Sequence, residues 1–177
     1  GTLFADIDLD VSFHDVDMVG VVWHGHYLRY LENARWALMN QLGYGLDRMV
    51  ASGFAWPIVE LQAKYVSPAR FGDRLRVRAS LVEWESRMAV NYLVSRLGDG
   101  ARVVRARTVQ VAVDAASGEL QFATPPEFAD CVRAALARRD AEVFRLRNEL
   151  EELRGAPPRE GAAAAAPIAA GSSTKRY

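Results

Sequence analysis

Polar and apolar residues alternate strictly near the start of the chain: Phe4, Asp6, Asp8 and Asp10 take one parity and Ala5, Ile7, Leu9 and Val11 the other. A period of two predicts a half-buried strand over residues 4–12, with an apolar inner face and an acidic outer one. A loop at 14–22 follows. Tyr27, Tyr30, Leu31, Ala34, Leu38 and Leu42 then recur at spacings of three and four until Gly43 and Gly45 stop the pattern, which predicts a helix over 24–42 of about five turns. Leu28, Trp36, Ala37 and Met39 add apolar surface off that stripe, so this helix is expected to lie inside the fold.

Beyond a linking segment at 46–52, four strand-like stretches are predicted at 55–66, 74–85, 88–97 and 101–114. Turn-forming residues separate them: Ser67-Pro68, Gly72-Asp73, Ser86 and Gly98-Asp99-Gly100, with Ser117-Gly118 after the last. Such short connections imply antiparallel neighbours. The predicted class is α+β, an antiparallel sheet of five strands around one long apolar helix. Residues 127–154 carry Val132, Leu136, Val143, Leu146, Leu150 and Leu153 at roughly heptad spacing, with Arg139 at an intervening core position. They predict a C-terminal helix that either packs on its own sheet or forms a short coiled coil. From 155 to 177 the Ala-, Pro- and Gly-rich sequence has no pattern able to bury a core, and a disordered tail is expected there. The expected organisation is a domain at 1–126, a helix at 127–154 and a tail at 155–177.

At 177 residues, half of them hydrophobic, the chain can bury one domain-sized core. Its net charge of zero gives no global attraction to nucleic acid or to an anionic membrane, and neither is expected as a partner. The charge is unevenly spread, however. Residues 1–63 hold eight acidic and three basic side chains, and residues 64–110 hold four and ten. Arg74, Arg76 and Arg78 alternate with Leu75, Val77 and Ala79, so their guanidinium groups share an outward strand face. That row either meets an anionic ligand, such as CoA phosphates or an acyl carrier protein, or is a solvated, charge-blunted face. The lone Cys131 excludes an intramolecular disulfide framework and is read as a small buried hydrophobe. With no apolar run of membrane-spanning length and no signal-peptide pattern over Gly1–Asp6, a cytoplasmic location is expected.

All three histidines and two aspartates fall between Phe13 and Arg35. Asp17 sits in a turn ahead of the apolar elbow Gly20-Val21-Val22 and of the helix start at His24, where unpaired backbone N–H groups concentrate positive potential. Such N–H groups can polarise a carbonyl, and a nearby carboxylate can attack it or activate water against it. A solvated aspartate in an Asx turn is the alternative. His24 and His26 could ligate a metal only in an extended segment, because positions two apart diverge around a helix. No metal is therefore expected, and one histidine is assigned to the pocket.

The run from Asp17 through His24 to Tyr27, followed by Tyr30, Leu31, Glu32 and Arg35, resembles the signature of hotdog-fold thioesterases of the 4-hydroxybenzoyl-CoA thioesterase and YbgC-like group. The similarity continues through Pro57–Glu60, Tyr65–Pro68, Phe71–Asp73 and Val82–Trp84, over about residues 4–125. It implies the hotdog fold and hydrolysis of an acyl-CoA or acyl-carrier-protein thioester, without a cofactor, in a homodimer or homotetramer whose active sites lie between subunits. By the same resemblance Asp17 is the catalytic carboxylate, acting as nucleophile or general base, and His24 stands at the mouth of the central helix with its backbone N–H aimed at the thioester oxygen. Gly25 and Tyr27 complete the motif as substrate-binding positions. Arg87 lies near the place where relatives carry basic residues for the CoA nucleotide. Some YbgC-like members have a Tyr where this chain has Phe13, so a helper hydroxyl is absent there.

The absence of a Gly-x-Ser-x-Gly elbow argues against a serine-hydrolase route, and a thiol with a pKa of about 8.5 leaves without a strong general acid. Two other expectations stay open on the residues alone: a hydratase or dehydratase that leaves the thioester intact, and a binding module without turnover. Trp23, Trp36, Phe54 and Trp56 are assigned either to an aromatic acyl pocket or to the core.

Overall fold

The computed structural model describes residues 2–155. Its elements are β1 (Leu3–Asp10), a single 3-10 turn at Phe13–Asp15, α1 (His26–Leu42), α2 (Leu46–Ser52), β2 (Phe54–Ala55), β3 (Ile58–Tyr65), β4 (Arg74–Glu83), β5 (Met88–Arg96), β6 (Arg102–Gln110), β7 (Val113–Asp114) and α3 (Pro126–Gly155). Five strands form one antiparallel sheet in the order β1-β4-β5-β6-β3, and β2 pairs with β7 in a separate two-stranded ribbon. The class and the five-strand sheet are as expected. The described residues divide after Asp140 into two units.

Within the first unit α1 packs against β1 and β4. Its buried stripe, Tyr27, Tyr30, Leu31, Ala34, Leu38, Met39 and Leu42, joins Ala5, Leu75, Val77, Ala79, Val90 and Val94 in one core. The helix lies inside the fold along this stripe, as expected; of the further apolar positions Met39 is buried with it, Trp36 and Ala37 are half buried and Leu28 is exposed. α1 ends at Gly43, which is left-handed at φ 79°; its N–H reaches the Asn40 carbonyl and the Tyr44 N–H reaches that of Met39. The helix begins at His26 rather than at residue 24, with Gly25 as its N-cap residue.

Two predicted strands are shorter than expected because the chain breaks them. The stretch at 55–66 divides at Trp56-Pro57, where proline lacks the N–H that a continuous ladder needs. The stretch at 101–114 divides after Gln110, where Val111 donates instead to the Pro57 carbonyl at 3.3 Å. Trp56 belongs to the core, packed with Tyr44 and Phe128 at ring distances of 6.4 and 4.9 Å, whereas Trp23 is exposed. Phe128, Cys131, Val132 and Ala135 of α3 are buried in the same core, so the first unit extends past residue 126.

The arginine row faces its answer across the sheet. β1 and β4 pair with Asp10 opposite Arg74, Asp8 opposite Arg76 and Asp6 opposite Arg78. Arg76 holds Asp8 in a two-pronged bond at 2.8 Å, and Arg78 holds Asp6 likewise at 2.7 Å. The acidic face of one strand thus neutralises the basic face of the next, and the row is not set aside for a ligand. The second unit contributes the helical residues 141–155, all exposed. The tail expected at 155–177 lies outside the described residues except for Gly155, which closes α3.

Candidate active site

The loop between β1 and α1 is tied down at several points. Val11 donates to the Asp73 carbonyl at 2.9 Å, and Val22 donates to that of Ala69 at 2.8 Å. Val16 and Val22 form an isolated antiparallel bridge, so residues 16–22 fold back as a tight loop. At its tip Gly20 N–H bonds the Asp17 carbonyl at 2.9 Å, with Gly20 at φ 82°, a conformation that side chains other than glycine's strain to adopt. The Asp17 carboxylate accepts the Val19 N–H at Oδ1, also at 2.9 Å. This is the Asx turn foreseen as the alternative reading, and it leaves Oδ2 without a hydrogen-bond partner among the described residues.

Asp17 forms one wall of a pocket of about 350 Å³ that is also lined by Val21, Val22, His24, Tyr27 and the segment Tyr65–Pro68. Two predicted residues, Asp17 and His24, therefore meet at one cavity, and Tyr27 joins them. Tyr27 is buried, its hydroxyl accepts the Ala69 N–H at 3.3 Å, and burial pushes its pKa up, so it stays a neutral phenol. Tyr65 donates its hydroxyl proton to the His24 carbonyl at 2.9 Å and stands edge-on to the His24 ring at 6.3 Å. The backbone N–H groups of His24 and Gly25 have no acceptor among the described residues, and they sit at the positive end of α1.

Gly25 lines no part of this pocket, yet it shapes the helix start. A Cβ there would lie 2.1 Å from the Trp23 ring, which packs over it between His24 and His26 at centroid distances of 4.8 and 5.2 Å. Gly25→Ala is expected to push that ring away and shift the helix start, lowering kcat/KM about 10- to 100-fold. Tryptophan fluorescence should change while the melting temperature stays within a few degrees, because Trp23 is half in water.

Arg87 is not brought to the pocket. It closes the turn between β4 and β5 and bonds Glu83 at 3.0 and 3.1 Å. His14 and His26 are not among the lining residues either. Among the described residues, no group of three His, Cys, Asp or Glu side chains is arranged to hold a metal ion.

One residue that supports the site escaped the sequence reading. Asp15 is only 2 % exposed, accepts the Tyr30 hydroxyl at 2.6 Å and pairs with the Arg29 guanidinium. Its carbonyl also accepts the Trp23 N–H at 3.0 Å. Asp15 therefore pins both ends of the Asp17 loop to the first turn of α1. Burial alone would raise its pKa, but the hydrogen bonds from Tyr30 and Arg29 and the Arg29 charge outweigh that and hold the carboxyl below its ordinary value. Tyr65 and Ser67 were missed as lining residues too, although their tetrapeptide lies within the motif run noted above.

Comparison with known proteins agrees with this fold. Residues 11–138 match the thioesterase-like superfamily. The Synechocystis protein sll0410 is 30 % identical over 122 residues, 68 % of this chain and 74 % of that one. The 1,4-dihydroxy-2-naphthoyl-CoA hydrolase of Thermosynechococcus vestitus is 35 % identical over 109 residues, covering 60 % of this chain and 74 % of its own length. Among curated relatives the matched share is sometimes smaller: it spans 59 % of the Arabidopsis acyl-acyl carrier protein thioesterase ATL3, at 28 % identity over 63 % of this chain. A crystal structure of a 4-hydroxybenzoyl CoA thioesterase mutant complexed with 4-hydroxybenzoyl CoA superposes with a TM-score of 0.62 at 25 % identity, covering 73 % of this chain and 98 % of that one. The chain belongs to the thioesterase-like superfamily and is a thioester hydrolase of the hotdog fold.

Proposed function

We propose that the chain hydrolyses an acyl-CoA or acyl-carrier-protein thioester to free acid and thiol, with Asp17 as the reacting carboxylate. The observation that carries this reading is the Asp17 carboxylate, one oxygen anchored by its own turn and the other without a partner among the described residues, on a pocket shared with the amino-terminal end of α1. Asp17 either attacks the thioester carbon or takes the proton of a water that does. The oxygen of the tetrahedral species gains negative charge at that moment, and the N–H groups of His24 and Gly25 are the donors assigned to it. The thiolate then leaves and takes a proton, from solvent or from the Asp17 that accepted it. On the general-base route this releases the acid at once; on the nucleophilic route water then cleaves the acyl-aspartyl anhydride, which frees the acid and restores the carboxylate. Tyr65 fixes the His24 carbonyl and thereby the peptide that follows it.

The rings of Tyr27, Tyr65 and His24 on the pocket favour a flat acyl group. Positive charge for CoA phosphates or an acidic carrier surface is assigned to Lys64 and Arg105, which line a second, open hollow of about 410 Å³ on the sheet and have no carboxylate partner among the described residues. Lys64→Glu with Arg105→Glu should raise KM for a CoA thioester, more at low salt than at high, while kcat holds.

A homodimer or homotetramer is part of the same proposal, supported by β3, an edge strand exposed at every one of its eight residues. Cytoplasmic residence is likewise proposed, on the strength of a chain whose single cysteine, the buried Cys131, leaves it without an internal disulfide. No helix among the described residues is long and apolar enough to cross a membrane. The test of function is a thiol-release screen across benzoyl-, hydroxybenzoyl-, naphthoyl- and fatty acyl-CoAs. Turnover with aromatic thioesters ahead of fatty ones is expected; thiol release from none of them would overturn the proposal.

A further inference from the structure

The last turns of α3 carry an apolar seam that the described chain leaves in solvent. Val143, Leu146, Leu150 and Leu153 are between 42 and 75 % exposed, and they are spaced three, four and three apart. That spacing is the a/d pattern of a coiled coil, with Val143 and Leu150 at a and Leu146 and Leu153 at d. Earlier in the same helix Val132 is fully buried and Leu136 partly so, and Arg139 occupies the seam position between them and Val143. The apolar stripe thus has two parts, and the first is used by the domain core. The second lies after residue 138, where the match to the thioesterase-like superfamily ends.

The flanking charges say what would cover it. In this register Glu142 and Glu149 fall at g, and Arg147 and Arg154 at e. When two helices run parallel and in register, each g residue faces the e residue five positions later on its partner. Glu142 then meets Arg147 of the second copy and Glu149 meets Arg154 of the second copy, twice each by symmetry. Antiparallel packing would instead set Glu against Glu and Arg against Arg. Val143, the β-branched one of the two a residues, together with leucine at both d positions also leans toward two strands. Within one helix Arg145 bonds Glu142 and lies 3.9 Å from Glu149, but these exposed pairs are weak and exchange at little cost.

We propose that residues 142–154 of α3 pair with the same segment of a second copy as a short, parallel, two-stranded coiled coil. The pairing is independent of what the catalytic pocket hydrolyses. It also accounts for a helix continuing for some fifteen residues without a buried side chain, since helices that short are marginal in water on their own.

Cysteine cross-linking of the full chain tests it. Leu153→Cys places a thiol at d, facing its own copy only if the helices are parallel and in register, whereas Asn148→Cys places one at f on the outer face. Mild oxidation should convert most of the Leu153→Cys protein to a disulfide-linked dimer and leave Asn148→Cys monomeric on a denaturing gel. Adding Glu142→Arg and Glu149→Arg to Leu153→Cys should reduce cross-linking several-fold, and reversing Arg147 and Arg154 to Glu as well should restore it. Thiol-release activity checks that each variant is folded. Equal cross-linking of the two cysteine variants, no cross-linking of Leu153→Cys, or indifference to the charge reversal would each overturn the proposal.

Discussion

Asp17→Asn should lower kcat by about 10²- to 10⁴-fold, the contribution that a positioned carboxylate makes as base or nucleophile. The substitution keeps size and shape, and an amide oxygen can still accept the Val19 N–H that Asp17 Oδ1 accepts at 2.9 Å. The loop tip is also held by the backbone bonds from Gly20 to Asp17 and from Asp17 to the Val21 carbonyl, neither of which involves the side chain. Stability should therefore change by less than about 1 kcal/mol, as for substitutions outside the core. KM should hold as well, because what is lost is an interaction made in the transition state. A variant that unfolds would point to a structural role, and the melting temperature measured beside the rate separates the two.

The second large effect is on stability. Asp15→Ala should destabilise the protein by about 2–3 kcal/mol, the range for losing charged hydrogen bonds at a buried site, lowered because Arg29 is half in water. In a chain of this size that corresponds to a fall in melting temperature of roughly 5–10 °C. The buried Tyr30 hydroxyl loses its acceptor, and the loop carrying Asp17 loses its tie to α1. The pH dependence has a definite sign. The Asp15 carboxyl is held below its unfolded value of about 3.9, so its stabilisation is fully present above that pH and is lost as pH falls through the folded value. The stability gap between wild type and Asp15→Ala should then begin to narrow as the pH falls below about 4 and go on narrowing toward the folded value. Urea melts from pH 7 to pH 3 measure it; a gap that persisted undiminished at pH 3 would contradict the assignment of Asp15 as the ionised partner.

Much of this was legible in the residues alone, for reasons that can be named. The strand and helix periods gave the order of elements, because α1 and strands such as β4 bury one face and their apolar positions repeat accordingly. That Asp17 and His24 share one pocket was legible because the residues concerned are local, within one loop and one helix start. Asp15 was not, since its burial depends on Arg29 and Tyr30, fourteen and fifteen residues on, which reach it only once the loop folds back. The fate of Arg74, Arg76 and Arg78 depended on which strand lies beside them. The signal was present, three acids and three arginines with the same period of two, but only the antiparallel register of β1 on β4 turns two alternations into pairs. Arg87 failed to reach the pocket because Glu83, four residues earlier, already holds it at the hairpin turn.

The role of Asp17 is decided by measuring, side by side, the thiol and the free acid released from an acyl-CoA by the wild-type chain and by Asp17→Asn, at equal concentrations of folded protein. The wild type should release thiol and acid in equal amounts, and the variant should be slower by at least about 100-fold. Thiol release by Asp17→Asn at the wild-type rate would contradict that role.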